Sequence, residues 1–435
     1  MVTLGIMIGS KEAFMEKQQI LAELTENPKI IDRLIYQAVF EDRQLLSVLH
    51  EALKDLGIKG YSIYPLYQRF SKKFLGFTVP AINLRGMTYD VARAIFRTAK
   101  RLSAGAFIFE IAKSEIGYTK QPPLEYATVV LAAAFKEGYR LPVFIQGDHF
   151  QLNRKSFFAN PEKEKNNLKN LIKEALSAQF YNIDIDASTL VDLEKKEISE
   201  QQRYNYEVTA ELCDFVREIE PTGIKVTLGG EIGEIGGKNS TPEELRAFMK
   251  GLKQTLKKEE GISKISVQTG TIHGGVVLPD GKIAEVKLDF KTLKELSKIA
   301  REEFGLAGAV QHGASTLPED YFSLFPENEC VEVHLATAFQ NFLYDHPALP
   351  AEFREKIYRY LKENLKHEWE EGLSESQFIY KTRKKGFGAF KKDWWDLDLK
   401  VKKHILEDME GLFEKIFLKL NLKNTESLIK EVFNL

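Results

Sequence analysis

Pro142-Val143-Phe144-Ile145-Gln146-Gly147-Asp148-His149 is a short apolar run that ends in an acid followed directly by a histidine. Its length and apolar character suit a strand buried on both faces. Neighbouring strand side chains point to opposite faces, but at a strand's C-terminal tip the backbone is already turning, so Asp148 and His149 can converge on one pocket. Three other runs end in the same style. Residues 224–228 lead into Gly229-Gly230-Glu231-Ile232-Gly233, residues 265–267 into Gly270-Thr271-Ile272-His273-Gly274-Gly275, and residues 307–310 into Gln311-His312-Gly313.

Outward from these four runs the same rhythm continues. Apolar runs at 77–84, 106–112, 142–148, 180–186, 224–229, 264–269, 306–311 and 330–335 alternate with helical patterns at 89–102, 124–136, 164–178, 200–219, 241–258 and 290–304. Thr241 with Glu244 three residues on is a capping-box start. Strand–helix alternation repeated eight times predicts an α/β fold of the (β/α)8 TIM-barrel type, and polar, glycine-flanked strand ends favour it over an open doubly wound sheet. Three regions follow: an N-terminal helical extension (1–75), the barrel with its site (76–345) and a C-terminal helical extension (346–435). The first carries apolar residues at spacings of three and four and reads as a cap for the barrel bottom or an interface. The last contains a basic, aromatic stretch at 380–395, read either as an amphipathic tail or as a basic flap or subunit contact bearing on an anionic substrate.

Composition narrows the class. Of the 435 residues, 43% are apolar and 29% charged, as in globular proteins, and a net charge of −2 argues against a nucleic-acid or membrane-surface binder. Two cysteines, Cys213 and Cys330, exclude a disulfide framework and suit a reducing compartment. With no apolar run of membrane-spanning length and no export signal in the first residues, the expectation is cytoplasmic.

His149, His273 and His312 are three of only eight histidines, and each stands beside glycine at an expected strand tip or one residue from it. Three imidazoles can hold Zn2+ and leave a coordination position open to substrate; Co2+, Mn2+ or Fe2+ also fits such a set. Glu231 joins them as a fourth donor. Asp148 reads as a general base or as a carboxylate orienting a histidine ligand. Asp184 and Asp186, two apart, share one strand face, with Asp186 nearer the tip.

Taken in order, these motifs resemble the class II (metal-dependent) fructose-bisphosphate aldolases, over about residues 77–344. Pro142 to His149 is similar to that family's strand ending in Asp-His, which implies Asp148 as catalytic base and His149 as metal ligand. Asp186-Ala187-Ser188 resembles its Asp-x-Ser, and Glu231-Ile232-Gly233-Glu234-Ile235-Gly236-Gly237 its Glu-Leu-Gly-x-x-Gly-Gly loop, with Glu231 at the metal site. Gly270-Thr271-Ile272-His273-Gly274 matches Gly-x-Val-His-Gly, and His312-Gly313-Ala314-Ser315 looks like His-Gly-Gly-Ser/Thr, which implies His273 and His312 as further ligands. Asn83 fits the first strand. The resemblance implies reversible aldol cleavage of a ketose or its phosphate through an enediolate. Asn83, Lys113, Ser114, Asp186, Gly274, Gly313, Ser315, His334 and Thr337 are then the substrate-binding candidates.

Three departures stand out. The family's Asn-x-Asp-Thr reads His334-Leu335-Ala336-Thr337, its second glycine after the last ligand is Ala314, and Lys238-Asn239 stands where an acid is expected, leaving Glu234 or a residue of another loop to protonate the carbanion. A weakened phosphate grip opens a second reading, C4 epimerisation of a free ketose such as fructose to tagatose. A third is a non-catalytic partner subunit of an aldolase. The expected partners are a sugar or sugar phosphate and further copies of the chain, with no nucleic acid and no membrane.

Overall fold

The computed structural model describes residues 11–232, 238–270 and 288–435. A two-residue strand, β1 (Gly60–Tyr61), precedes eight parallel strands: β2 (Val79–Asn83), β3 (Ile108–Ala112), β4 (Val143–Gln151), β5 (Asn182–Asp186), β6 (Thr227–Glu231), β7 (Lys264–Val267), β8 (Ala309–Gln311) and β9 (Glu332–Leu335). Each of the eight pairs with its sequence neighbour, and β9 pairs back onto β2 through Ala81 opposite His334. The sheet closes into a (β/α)8 barrel, and the C-terminal ends of the strands form its mouth.

Helices Thr88–Leu102, Pro123–Lys136, Pro161–Ser177, Arg203–Ile219, Pro242–Thr255 and Phe290–Glu302 follow successive strands. Thr241 caps Pro242–Thr255: its side chain accepts from the Glu244 N–H at 3.2 Å, and the Glu244 carboxylate accepts from the Thr241 N–H at 2.8 Å. The ring of helices is completed from beyond residue 345. Helix Leu399–Lys419 packs on Thr88–Leu102, where Arg97 Nε meets Glu410 at 2.7 Å and Arg101 meets Glu414 at 2.9 Å. Phe107 and Phe417 pack behind them, their rings tilted by 36° with centroids 5.4 Å apart.

The N-terminal helices Lys11–Glu26, Ile31–Phe40 and Leu45–Asp55 share one continuous apolar core with the barrel. β1 pairs with the first residues of β4, Gly60 opposite Val143, so this segment covers the barrel's bottom. From there Tyr67 sends its hydroxyl up to the Glu332 carboxylate inside the barrel.

That interior is ionic. Barrel interiors are usually packed with branched apolar residues. Here the fully buried Lys264 donates to Gln146 Oε1 at 2.7 Å and Glu332 Oε1 at 2.5 Å, and lies 3.0 Å from Asp184 Oδ1. Gly229 makes room for it: a Cβ at 229 would lie 2.1 Å from Asp184 Oδ1 and 3.0 Å from Lys264 Cε.

Candidate active site

The Asp-His pair of β4 converges through a bulge. The register of β4 on β5 shifts between Gly147 and Phe150, and His149 takes φ +41°, a left-handed conformation that a histidine rarely adopts. The extra residue lets Asp148 and His149 both line the cavity. His149 Nδ1 then lies 3.1 Å from Asp186 Oδ2 and 3.2 Å from Glu231 Oε2, and Nε2 lies 3.9 Å from Asp148 Oδ1. Asp186 is itself pinned. Its Oδ1 accepts from the Ser188 N–H at 3.0 Å and hydroxyl at 2.6 Å, and its Oδ2 from Gln151 Nε2 at 2.6 Å. Burial alone would raise its pKa, but the hydrogen bond and charge of His149 hold it below the ordinary value.

His312, one residue beyond β8, brings its ring centroid to 4.4 Å from that of His149. Its Nδ1 stands 3.9 Å from Glu231 Oε1, and its Nε2 3.3 Å from Ser266 Oγ. Below it, His334 of β9 touches four carboxylates: Glu332 at 2.6 Å, Glu110 at 3.0 Å, Asp148 at 3.2 Å and Asp184 at 3.6 Å. Burial opposes a charged His334, but Glu110 and Asp148 outweigh it and carry its pKa well above the ordinary value. Burial pushes Glu110 up to about 8 despite His334, and Asp184 up to about 6 despite Lys264.

Among the described residues, two donor sets have ligand atoms within 4.8 Å of one another: His149, Glu231 and His312, and the deeper Asp148, Asp184, His312 and His334. The first suits a divalent cation better. Donors of a tetrahedral site with bonds of about 2.1 Å sit about 3.4 Å apart, so only a modest contraction is needed. Its residues also face a cavity of about 1190 Å3, whereas in the deeper set His334 is already engaged by Glu332. The charge balance agrees: Asp148, Asp186 and Glu231 surround two imidazoles, an excess of negative charge that a cation would neutralise. Burial disfavours charge on His149, yet Asp148 and Glu231 hold its pKa well above the ordinary value.

Of the residues singled out in the sequence, Asn83, Ser114, Asp148, His149, Asp186, Glu231, His312, Gly313, Ser315, His334 and Thr337 line this one cavity. Lys113 does not: its Nζ donates to the Gln151 carbonyl at 2.7 Å and lies 3.5 Å from Glu164, held in place beside the mouth. Glu234, His273 and Gly274 lie outside the described residues. Ser315 Oγ accepts the Ala338 N–H at 3.2 Å, and the neighbouring Ala314 is buried.

The cavity also has a wall of Arg85, Glu110, Glu115, Tyr118 and Gln340 from the barrel, which sequence reasoning missed, and a strap at residues 367–385 from the C-terminal region, whose last six residues belong to the stretch read as a tail or a basic flap. Glu110 gave a signal, an acid in a strand otherwise apolar. In the strap only residues 380–385 gave one, their basic composition.

Comparison with known proteins agrees with this architecture. No curated protein matches the chain in sequence. Among solved structures, the fructuronate-tagaturonate epimerase UxaE of Cohnella laeviribosi is 13% identical, with a TM-score of 0.54 over 90% of this chain and 85% of that one. A "probable tagatose 6 phosphate kinase" of Sinorhizobium meliloti is 14% identical, with a TM-score of 0.54 over 82% and 99%. A fructose-bisphosphate aldolase of Campylobacter jejuni is 17% identical, with a TM-score of 0.48 over 84% and 97%. At such identities the first two likenesses show the fold alone. The sequence model for the class II fructose-bisphosphate aldolases, by contrast, matches residues 72–379, a span holding all eight barrel strands together with Asp148, His149, Glu231 and His312, and this chain is therefore a member of that family.

Proposed function

We propose that the protein breaks and remakes the C3–C4 bond of a ketose, with Asp148 as the base. The observation that carries this is the convergence of Asp148 with His149, Glu231 and His312 at the mouth of one cavity. His149, His312 and Glu231 would hold a divalent cation, joined by His273. A cation bound there supplies Lewis acidity to the ketone of the substrate.

The protein's own groups do the rest. Asp148 takes the proton of the C4 hydroxyl, the C4–O bond becomes a carbonyl, and the C3–C4 electron pair stays on the ketone-bearing fragment. His334, 3.2 Å from Asp148 Oδ1 and anchored by Glu332, fixes the direction in which that carboxylate presents itself. Asp186, tied by Ser188 and Gln151, orients the His149 ring. Glu234 is the proposed donor that returns a proton to C3 in net cleavage.

C4 epimerisation is a second reading favoured by one specific observation. The strap, including His367, Leu373, Gln377 and Tyr380, forms part of the cavity wall. Such a wall would retain an aldehyde fragment long enough for it to turn and rejoin by its other face. The Cohnella protein of similar fold is named an epimerase, which is in keeping with this, though the weight rests on the strap.

The test uses the metal-loaded protein with free ketoses, ketose phosphates and hexulosonates. Asp148→Asn should lower kcat by about 10²- to 10⁴-fold while metal content stays at the wild-type level. An aldehyde trapped in stoichiometric amount identifies cleavage, and an epimer formed without free aldehyde identifies epimerisation. Full turnover by Asp148→Asn would reject the assignment of the base.

A further inference from the structure

Resting on that reading, we propose that Arg85 and Lys384 form an anion subsite in the cavity, which takes an ionised terminus of the substrate, a carboxylate or a phosphate. Both side chains line the cavity that holds His149 and His312. Lys384 comes from the C-terminal strap and Arg85 from the segment after β2, so the subsite joins two regions far apart in the chain.

The strap carries four cations in close succession, and three are neutralised. Lys381 lies 3.2 Å from Glu370, Arg383 lies 2.7 Å from Asp345, and Lys385 pairs with Glu368. Half-buried Lys384 makes no ion pair among the described residues; its Nζ lies 5.7 Å from the ring centroid of Tyr118. Arg85 is aimed by its neighbours: Nε donates to Glu115 Oε1 at 2.7 Å and Nη1 to Gln340 Oε1 at 2.8 Å. Its Nη2 has no hydrogen-bond partner among the described residues.

Glu115 does not neutralise both cations. Besides Arg85 it accepts from Asn83 Nδ2 at 2.5 Å, from the Ala112 N–H at 2.8 Å and from the Tyr118 hydroxyl at 3.5 Å. Burial lowers the pKa of the Lys384 ammonium, and the charge of Arg85 lowers it further. Two like charges sharing a partly dehydrated wall repel, and an anion between them relieves both the repulsion and the lost hydration. A guanidinium with a free N–H edge beside an ammonium suits an oxyanion with several acceptor atoms. Lys113, the cation expected for that task, is occupied elsewhere.

The experiment is calorimetric titration of the metal-loaded protein with fructose, fructuronate and fructose 6-phosphate, on wild type, Lys384→Met and Lys384→Arg. Wild type should bind at least one anionic ketose about tenfold or more tighter than fructose, since charge-assisted hydrogen bonds separate the two. Lys384→Met should erase most of that ratio and Lys384→Arg should restore it. Preference for fructuronate identifies a carboxylate site, and preference for the phosphate identifies a phosphate site. Equal affinity for neutral and anionic ketoses in wild type, or equal weakening of both by Lys384→Met, overturns the subsite. Repeating the titrations in the Asp148→Asn background reads binding apart from turnover, and anion selectivity in a protein that catalyses no C3–C4 exchange would sink the proposed reaction and leave the subsite standing.

Discussion

Replacing Lys264 by methionine tests whether the ionic interior beneath the site holds the barrel together. The substitution keeps most of the chain's length and removes one charge from a position with no solvent access. It strands Asp184 and Glu332, whose carboxylates lie 3.0 and 2.5 Å from Nζ, and deprives Gln146 Oε1 of its donor at 2.7 Å. Removing one partner of a buried ion pair costs about 3–5 kcal/mol, because the other charge remains buried and unpaired. Protonation of the stranded acids and the remaining bonds from Tyr67 and His334 to Glu332 soften that loss. A value of about 4 kcal/mol is therefore expected, close to a thousandfold in the folded-to-unfolded ratio. The loss should also depend on pH. Burial opposes the Glu332 carboxylate, yet Lys264 and His334 hold its pKa below the ordinary 4.5. A depressed carboxylate stabilises the fold above its ordinary pKa and ceases to do so as pH falls through the folded value. The gap between wild type and Lys264→Met should thus be widest near neutrality and narrow below about pH 4.5. Urea unfolding followed by circular dichroism across pH measures it, with Lys264→Met/Glu332→Gln as the companion. The double variant should recover part of the loss. A neutral-pH loss under about 1 kcal/mol would mean that the buried charges are compensated some other way and would refute the role given to Lys264.

Two further outcomes are expected. His312→Ala should reduce bound divalent metal, measured by elemental analysis after dialysis, by an order of magnitude or more without changing the far-ultraviolet spectrum; metal retained at the wild-type level would place the ion elsewhere. His50, buried between Thr128 at 3.1 Å and Gln179 at 2.8 Å, ties the N-terminal helices to the barrel, and burial, aided by Lys54, lowers its pKa from 6.5 to about 4. A depressed histidine is neutral in the fold, so its contribution is complete above pH 6.5 and is lost as pH falls toward 4. Up to about 3 kcal/mol should disappear across that window. Unfolding midpoints of His50→Gln with the same pH slope as wild type would assign the slope to other groups.

Much of the barrel was legible because its strands are buried on both faces and leave unbroken apolar runs that glycine and acid punctuate at the tips. Asp148, His149, Glu231 and His312 could be singled out for the same reason: polar side chains stand out against an apolar strand. The convergence of the Asp-His pair needed more, since alternation alone would send them to opposite faces. The bulge between Gly147 and Phe150 and the positive φ of His149 settle it, and they depend on the pairing of β4 with β5. Lys264 and Glu332 read locally as ordinary strand residues, and Lys264 could have passed for a solvated end. Only closure of the sheet sets them against Asp184 inside the barrel, because what faces inward is a property of all eight strands together. The helix Leu399–Lys419 likewise read as an appendage, and the basic stretch carrying Lys384 as either a tail or a flap. Their places in the ring and over the cavity come from residues some 300 positions away, as where Arg97 meets Glu410 or where the charge of Arg85 acts on Lys384. Burial and residue chemistry act over a few neighbours, so the strands, their tips and the polar residues that end them could be read along the chain. Which of these side chains meet around one cavity depended on distances that only the closed barrel sets.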